Sequence, residues 1–186
     1  MGIAKGAFGM LAELASKHEL GKRLVVLGRQ TSYVTRRDFE SVAGRFGLEL
    51  PRETILSDDK IIDAEILFKS LGFSEIFWAD LSNYQGADLL LDLNLPLDKQ
   101  YQNFCDCVFD GGTVEHLFNA SEALRSIFQL IRPGGFVIHN TPSSNHVEHG
   151  FYMISPCFYN DFYSANGFSK VRSWVYTYDR ILHNYS

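Results

Sequence analysis

Three short apolar runs in the middle of the chain each end on an aspartate: EIFWAD at 75–80, ADLLLD at 87–92 and FCDCVFD at 104–110. Runs of this length with few polar interruptions are strands buried on both faces, which a parallel sheet flanked by helices provides. An earlier run, LVVL at 24–27, closes on Gly28, and a later one occupies 136–139. Helical spacing fills the intervals. Phe8, Leu11, Leu14 and Ala15 mark a leading helix over 3–20 with Gly21 as its stop. Thr35 and Asp38 form a capping box for a helix ending near Phe46, with Gly47 beyond it. Asp58 or Asp59 opens a third helix over 61–71, stopped by Gly72. A fourth, over 120–131, breaks at Pro133-Gly134-Gly135; a fifth, over 155–166, precedes a more exposed strand over 170–178. This alternation predicts an α/β fold, a doubly wound, mainly parallel sheet with helices on both faces. At 186 residues the expectation is a single domain, 1–186, led by the helix at 1–21.

Composition narrows the function. An apolar fraction of 46% with 21% charged residues is that of a packed chain, not a disordered one. No apolar run reaches the roughly 18 residues of a membrane span, so no membrane partner is expected. Residues 61–120 carry two Lys/Arg against ten Asp/Glu, the reverse of what a phosphate backbone attracts, which argues against nucleic acid as a ligand. Cys105, Cys107 and Cys157 are odd in number and lack the CxxC spacing, so a reducing, cytoplasmic setting is expected, without disulfides or structural zinc.

In parallel sheets ligands bind beyond the carboxyl ends of the strands. Asp80, Asp92 and Asp110 would open onto that one edge, although aspartate there also serves as a turn or cap residue. Glu115, His116, His139, His146 and His149 are candidate acid–base groups, since an unperturbed histidine titrates near neutral pH. A metal trio of His139, His146 and His149 is conceivable, but PSSN between them reads as an irregular loop, and no metal is expected.

FDGGTVEHLFN and FQLIRPGGFVIHNTP resemble the fourth-strand segment and the passage into the fifth strand of class I S-adenosylmethionine-dependent methyltransferases. The tail HGFYMISPCFYNDFYSANGF resembles a segment before the sixth strand in small-molecule and saccharide-acting members. The resemblance covers roughly 22–178. It implies S-adenosylmethionine as cofactor and a small-molecule acceptor. It also implies a ribose-binding role for Asp80, adenine contacts at Asp92 and Leu93, a place beneath the methionine moiety for Asp110 and Gly111, and a cofactor-binding loop at Gly28. His116, His146 and His149 fall on the acceptor side, as does the segment 141–162.

One segment departs from that family. Where the family runs from its first strand into three spaced glycines, VVLGRQTSYV offers Gly28, and Arg29, Gln30 and Thr31 would crowd the approach. A catalytically silent binding or assembly module of the same fold is therefore the alternative. A nicotinamide-dependent oxidoreductase would need GxGxxG after the first strand, which is absent. The family's seventh strand has little chain left to form it after 178, so a short or missing strand at 180–185, and a possible homodimer through the exposed edge, are expected.

Overall fold

Leu24, Val25, Val26 and Leu27 are all completely buried, and the strand that contains them is paired on both sides. In the computed structural model, which describes residues 2–50 and 58–176, the chain forms two compact units, 1–153 and 154–186. The first unit contains β1 (Gly2–Ile3), α1 (Lys5–Lys17), β2 (Arg23–Leu27), β3 (Thr31–Ser32), α2 (Arg36–Phe46) and α3 (Ala64–Ser70). It continues through β4 (Glu75–Asp80), β5 (Leu89–Leu90), β6 (Cys105–Asp110), α4 (Ala120–Leu130) and β7 (Ile131–His139).

The main sheet has the order β5-β4-β2-β6-β7, and every pair in it is parallel. From β2 the chain first steps outward through β4 to β5, then returns to the other side of β2 for β6 and β7. The strand order thus reverses between β2 and β6, which puts the topological switch point beside Leu27 and Asp110, themselves register partners. This is the Rossmann-like α/β architecture expected from the sequence.

One face of the sheet, with Leu24, Val26, Trp78, Cys107 and Phe109, packs on α1, α2 and α3. Phe8 of α1 stacks on Phe39 of α2 at 5.3 Å between ring centroids, and Phe68 of α3 meets Phe109 edge-on at 5.3 Å. The other face is covered by α4, whose Ala123, Leu124, Ile127 and Leu130 are buried. Cys105 and Cys107 belong to this interior. Burial pushes the Cys105 thiol up to about 12 and that of Cys107 well above its ordinary value, so both behave as small hydrophobes.

At α2 the structure agrees with the local pattern: the Thr35–Asp38 capping box and the left-handed Gly47 cap both form. Other boundaries differ. Helix α1 stops at Lys17, and Gly21 instead lies against the Asp106 side chain, where a β-carbon would clash. Helix α3 opens at Asp63, whose Oδ1 accepts from Glu65 N at 2.8 Å, and not at Asp58 or Asp59; Ile61 bridges Thr35 instead. Strand β5 is two residues long. Pro133-Gly134-Gly135 does not precede β7 but lies inside it as a bulge, where the register jumps from Cys105↔Ile131 to Cys107↔Phe136.

In the second unit α5 (Pro156–Ala165) is capped by Ser155, and Pro156 stands in its first turn. Tyr163 is packed by Phe162 and Phe168, with ring centroids 5.1 and 4.8 Å away. Of the strand expected over 170–178, residues 170–176 are not in a strand, and 177 and 178 lie outside the described residues. The seventh strand at 180–185, and with it the edge-driven homodimer, falls outside the described residues. Among those described, no helix is long and apolar enough to cross a membrane.

The amino end of β2 is held by a buried carboxylate. Asp106 Oδ2 accepts from Lys22 N and Arg23 N at 2.5 and 2.9 Å, and Arg132 Nη1 reaches Oδ1 at 2.8 Å. Burial alone would raise the Asp106 pKa, but these amides and the Arg132 and Arg23 charges outweigh it and hold the carboxyl below its usual value. A carboxyl depressed in the folded state adds stability that is complete above its unfolded pKa and is lost as pH falls through the folded one. Asp106→Asn is expected to lower unfolding free energy at neutral pH by about 1.5–3 kcal/mol. Denaturant titrations should show the gap to the wild type closing below about pH 4; a gap independent of pH would mean the carboxylate charge is not what holds β2.

Candidate functional site

The switch point is filled by side chains from the loops that leave its two strands. Gly28 N donates to Ala79 O at 2.8 Å, which carries the β2–β4 ladder one residue past β2. The chain then turns so that Gln30 folds back over the strand end. Gln30 Nε2 donates to Leu27 O at 3.0 Å and Gly28 O at 3.3 Å, and its Oε1 is buried with no hydrogen-bond partner among the described residues. The same Gln30 amide lies where a β-carbon on Gly111 would be, so a residue larger than glycine has no space there. From the β6 side Thr113 Oγ1 donates to Leu27 O at 2.9 Å. Of the three residues expected to crowd this approach, only Gln30 does so. Arg29 lies over the Trp78 ring at 4.3 Å, and Thr31 pairs with Gly2 in the small β1–β3 sheet.

The three strand-end aspartates differ in environment. Asp80, at the end of β4, is partly exposed; its Oδ1 accepts from Ser82 N at 3.1 Å, while its main chain pairs with β5. Asp92 is exposed and forms a turn, its Oδ1 accepting from Asn94 N and Nδ2 at 2.9 and 3.0 Å, and Leu93 beside it is buried. Asn94 in turn accepts from Asn119 N at 3.0 Å, which ties this loop to the cap of α4. Asp110 is 0% exposed. Its Oδ1 accepts from Thr113 N at 2.8 Å and Val114 N at 3.3 Å, and its Oδ2 is 2.7 Å from His139 Nδ1. Asp110 therefore shapes the turn beside Gly111 instead of facing the crevice, and His139 Nδ1 is paired with it.

Beyond that turn a second cluster assembles. Glu115 and His116 lie on a single 3-10 turn, Val114–His116. The 146–152 loop folds onto it by main-chain bonds: Phe151 N and Tyr152 N both donate to Glu115 O, at 2.8 and 3.2 Å. Gly150 passes so close that a β-carbon would sit 2.8 Å from that same oxygen. This brings the His149 ring to 4.8 Å from His116 and 5.2 Å from His146, centroid to centroid. His149 Nε2 lies 3.4 Å from Glu115 Oε1. Burial pushes the Glu115 carboxyl up to about 7, with the nearby Asp110 charge adding to the shift. Burial and the neighbouring His149 lower the His116 pKa.

The structure thus brings His116, His146 and His149 together and adds Glu115 to them. In the sequence Glu115 is one candidate base among five; its pairing with His149 across 34 residues is not visible there. The adjacent Glu-His pair directly after a strand-end turn is the signal the sequence does carry.

No family model matches the chain, and no curated protein matches it. Among solved structures it is similar to one described as the trans-methyltransferase CalH in complex with SAH, at 14% identity and a TM-score of 0.38. The match covers 73% of this chain and 35% of that one, so this chain spans about a third of that protein's length. The fold follows from the strand order itself.

The buried Asp110 network generates a specific expectation. Asp110→Ala leaves two amides and His139 without their acceptor, and breaking a buried charged network costs about 3–5 kcal/mol. Thermal unfolding should show a large loss of Tm. A variant as stable as the wild type would return Asp110 to the ligand-facing role.

Proposed function

We propose that the chain binds S-adenosylmethionine at the β2–β6 switch point and transfers its methyl group to a small-molecule, saccharide-like acceptor. The observation that carries this reading is Asp80. It ends the strand next to β2, one register position beyond Ala79, the partner of Leu27, and of its two carboxylate oxygens only Oδ1 has a hydrogen-bond donor among the described residues. A carboxylate so placed can accept from a ribose diol, and charge-assisted bonds of that type are the stronger class.

The rest of the crevice fits the cofactor in part. Gln30 Oε1, buried without a donor, offers an acceptor for an ammonium group, and the turn at Asp92 and Leu93 supports adenine contacts. The Gln30 side chain, however, occupies space that spaced glycines would leave open. The bound cofactor supplies an electrophilic methyl on a sulfonium. The protein's part is to hold that methyl in line with the acceptor, an orientation effect worth up to about 7–11 kcal/mol. His116, His146 and His149 would bind and orient the acceptor's nucleophilic atom. Beside them Phe118 and Phe151 are exposed, their rings 5.8 Å apart, and the Tyr152 hydroxyl donates to Phe118 O at 2.8 Å. Exposed rings beside polar groups suit the apolar face of a sugar ring.

The filled gap at Gln30 favours a second reading, a catalytically silent module of the same fold. Calorimetric titration with S-adenosylhomocysteine separates the two. The methyltransferase reading expects binding by the wild type and a loss of about 1.5–3 kcal/mol in Asp80→Ala. Absence of binding by the folded wild type would leave the silent module.

A further inference from the structure

Glu115 is 0% exposed, and among the described residues neither of its carboxylate oxygens has a hydrogen-bond partner; the same holds for His149 Nε2 facing it. Buried polar groups are rarely left in this condition, because each unmet group costs a substantial part of its hydration. A proton does not resolve it. At 3.4 Å the Oε1 to Nε2 separation is too long for a normal hydrogen bond, and Oε2 would remain unmet whichever group carried the proton. A cation placed among the donors would meet all of them at once.

We propose that Glu115, His116 and His149 form a binding site for one divalent transition-metal ion of the zinc class. Their donor atoms lie within 4.8 Å of one another. Ligands about 2.0–2.2 Å from a tetrahedral ion stand roughly 3.3–3.5 Å apart, so the side chains need only draw in by about an ångström. Two imidazoles and one carboxylate select zinc, cobalt, iron or manganese over magnesium and calcium, which prefer all-oxygen shells. Three protein ligands leave a coordination position open, the arrangement of a reactive site more than of a structural one. His149 is 27% exposed, which gives the ion an entry path.

The backbone holds the donors ready. Asp110 fixes the turn carrying Glu115 and His116 through Thr113 N, and two main-chain bonds to Glu115 O anchor the loop carrying His149. The site differs from the His139, His146 and His149 trio that spacing alone brings to mind, since His139 is committed to Asp110. Metal binding here needs no methyl donor. Its loss would leave the cofactor reading standing, and a chain that binds no cofactor would still bind the ion.

The full chain, stripped with a chelator, should take up one equivalent of Zn²⁺ in competition with a chromophoric chelator near neutral pH, with excess Mg²⁺ unable to displace it. Glu115→Gln and His149→Gln should each weaken binding by at least about 100-fold, while His18→Gln, distant in sequence and with its ring tilted against Phe136, should not. Circular dichroism checks folding. If Glu115→Gln fails to fold, the partly exposed His149 position and the visible spectrum of the Co²⁺-loaded wild type decide: ligand-field bands of a low-coordinate nitrogen–oxygen site are expected. No stoichiometric ion in the wild type, binding unchanged in His149→Gln, or a Co²⁺ spectrum of the hexaaqua ion would each overturn the proposal.

Discussion

Strand β2 is hydrogen-bonded on both sides, to β4 and to β6, and the chain leaves its neighbours in opposite directions. That single constraint decides where the molecule can bind a ligand. Every strand of the main sheet is parallel, so all the carboxyl ends lie on one edge, and the reversal at β2 opens the place on that edge where two connections move apart. Leu27 and Asp110 are the floor of that place because they are register partners. The loops that leave them, Gly28 to Gln30 on one side and Gly111 to His116 on the other, have to build the walls.

The sheet is legible in the sequence because burial on both faces is written directly into composition: LVVL, EIFWAD and FCDCVFD contain few polar residues to place. Helix boundaries are less so. Asp38 can be read as a capping residue because its partner Thr35 is three positions away, whereas Asp58, Asp59 and Asp63 compete for the same start, and only the Thr35–Ile61 bridge excludes the first two. Gly21 looks like a helix stop by type, but the reason it is glycine lies 85 residues away, in Asp106. Pro133-Gly134-Gly135 reads as a break because those residues oppose helix; β7 accommodates them as a bulge at the sheet's outer strand, where a lost ladder bond costs little.

The candidate site shows the same division. Position along a strand places Asp80 at the carboxyl edge of the sheet, since that comes from local pattern alone. The difference between Asp80 and Asp110 is not legible: both end a strand, yet one is partly exposed and the other is sealed by two amides and a histidine. Nor is it legible that Gln30 fills the gap while Arg29 turns onto Trp78. Such choices depend on the residues across the crevice, and Gly111 and Thr113, more than 80 positions further along the chain, are the ones that stand there. Likewise the histidines can be named from their titration range, but the carboxylate that faces His149 becomes apparent only when two main-chain bonds lay one loop over the other.

Asp110 links the two halves of this site mechanically. Its carboxylate holds the turn at Thr113 and Val114; Thr113 reaches back to Leu27 O on the crevice floor, and the next residue after Val114 is Glu115. A displacement of that turn therefore bears on both the Thr113 contact with Leu27 O and the direction of Glu115, since Val114 alone stands between Thr113 and Glu115. Side chains close to a buried, fully bonded carboxylate are poorly able to relax, because each alternative position leaves an amide or an imidazole without its acceptor. An ion or acceptor at Glu115 and a ligand beside Leu27, as proposed, would act on one element, and Asp110 sets the stability of that element.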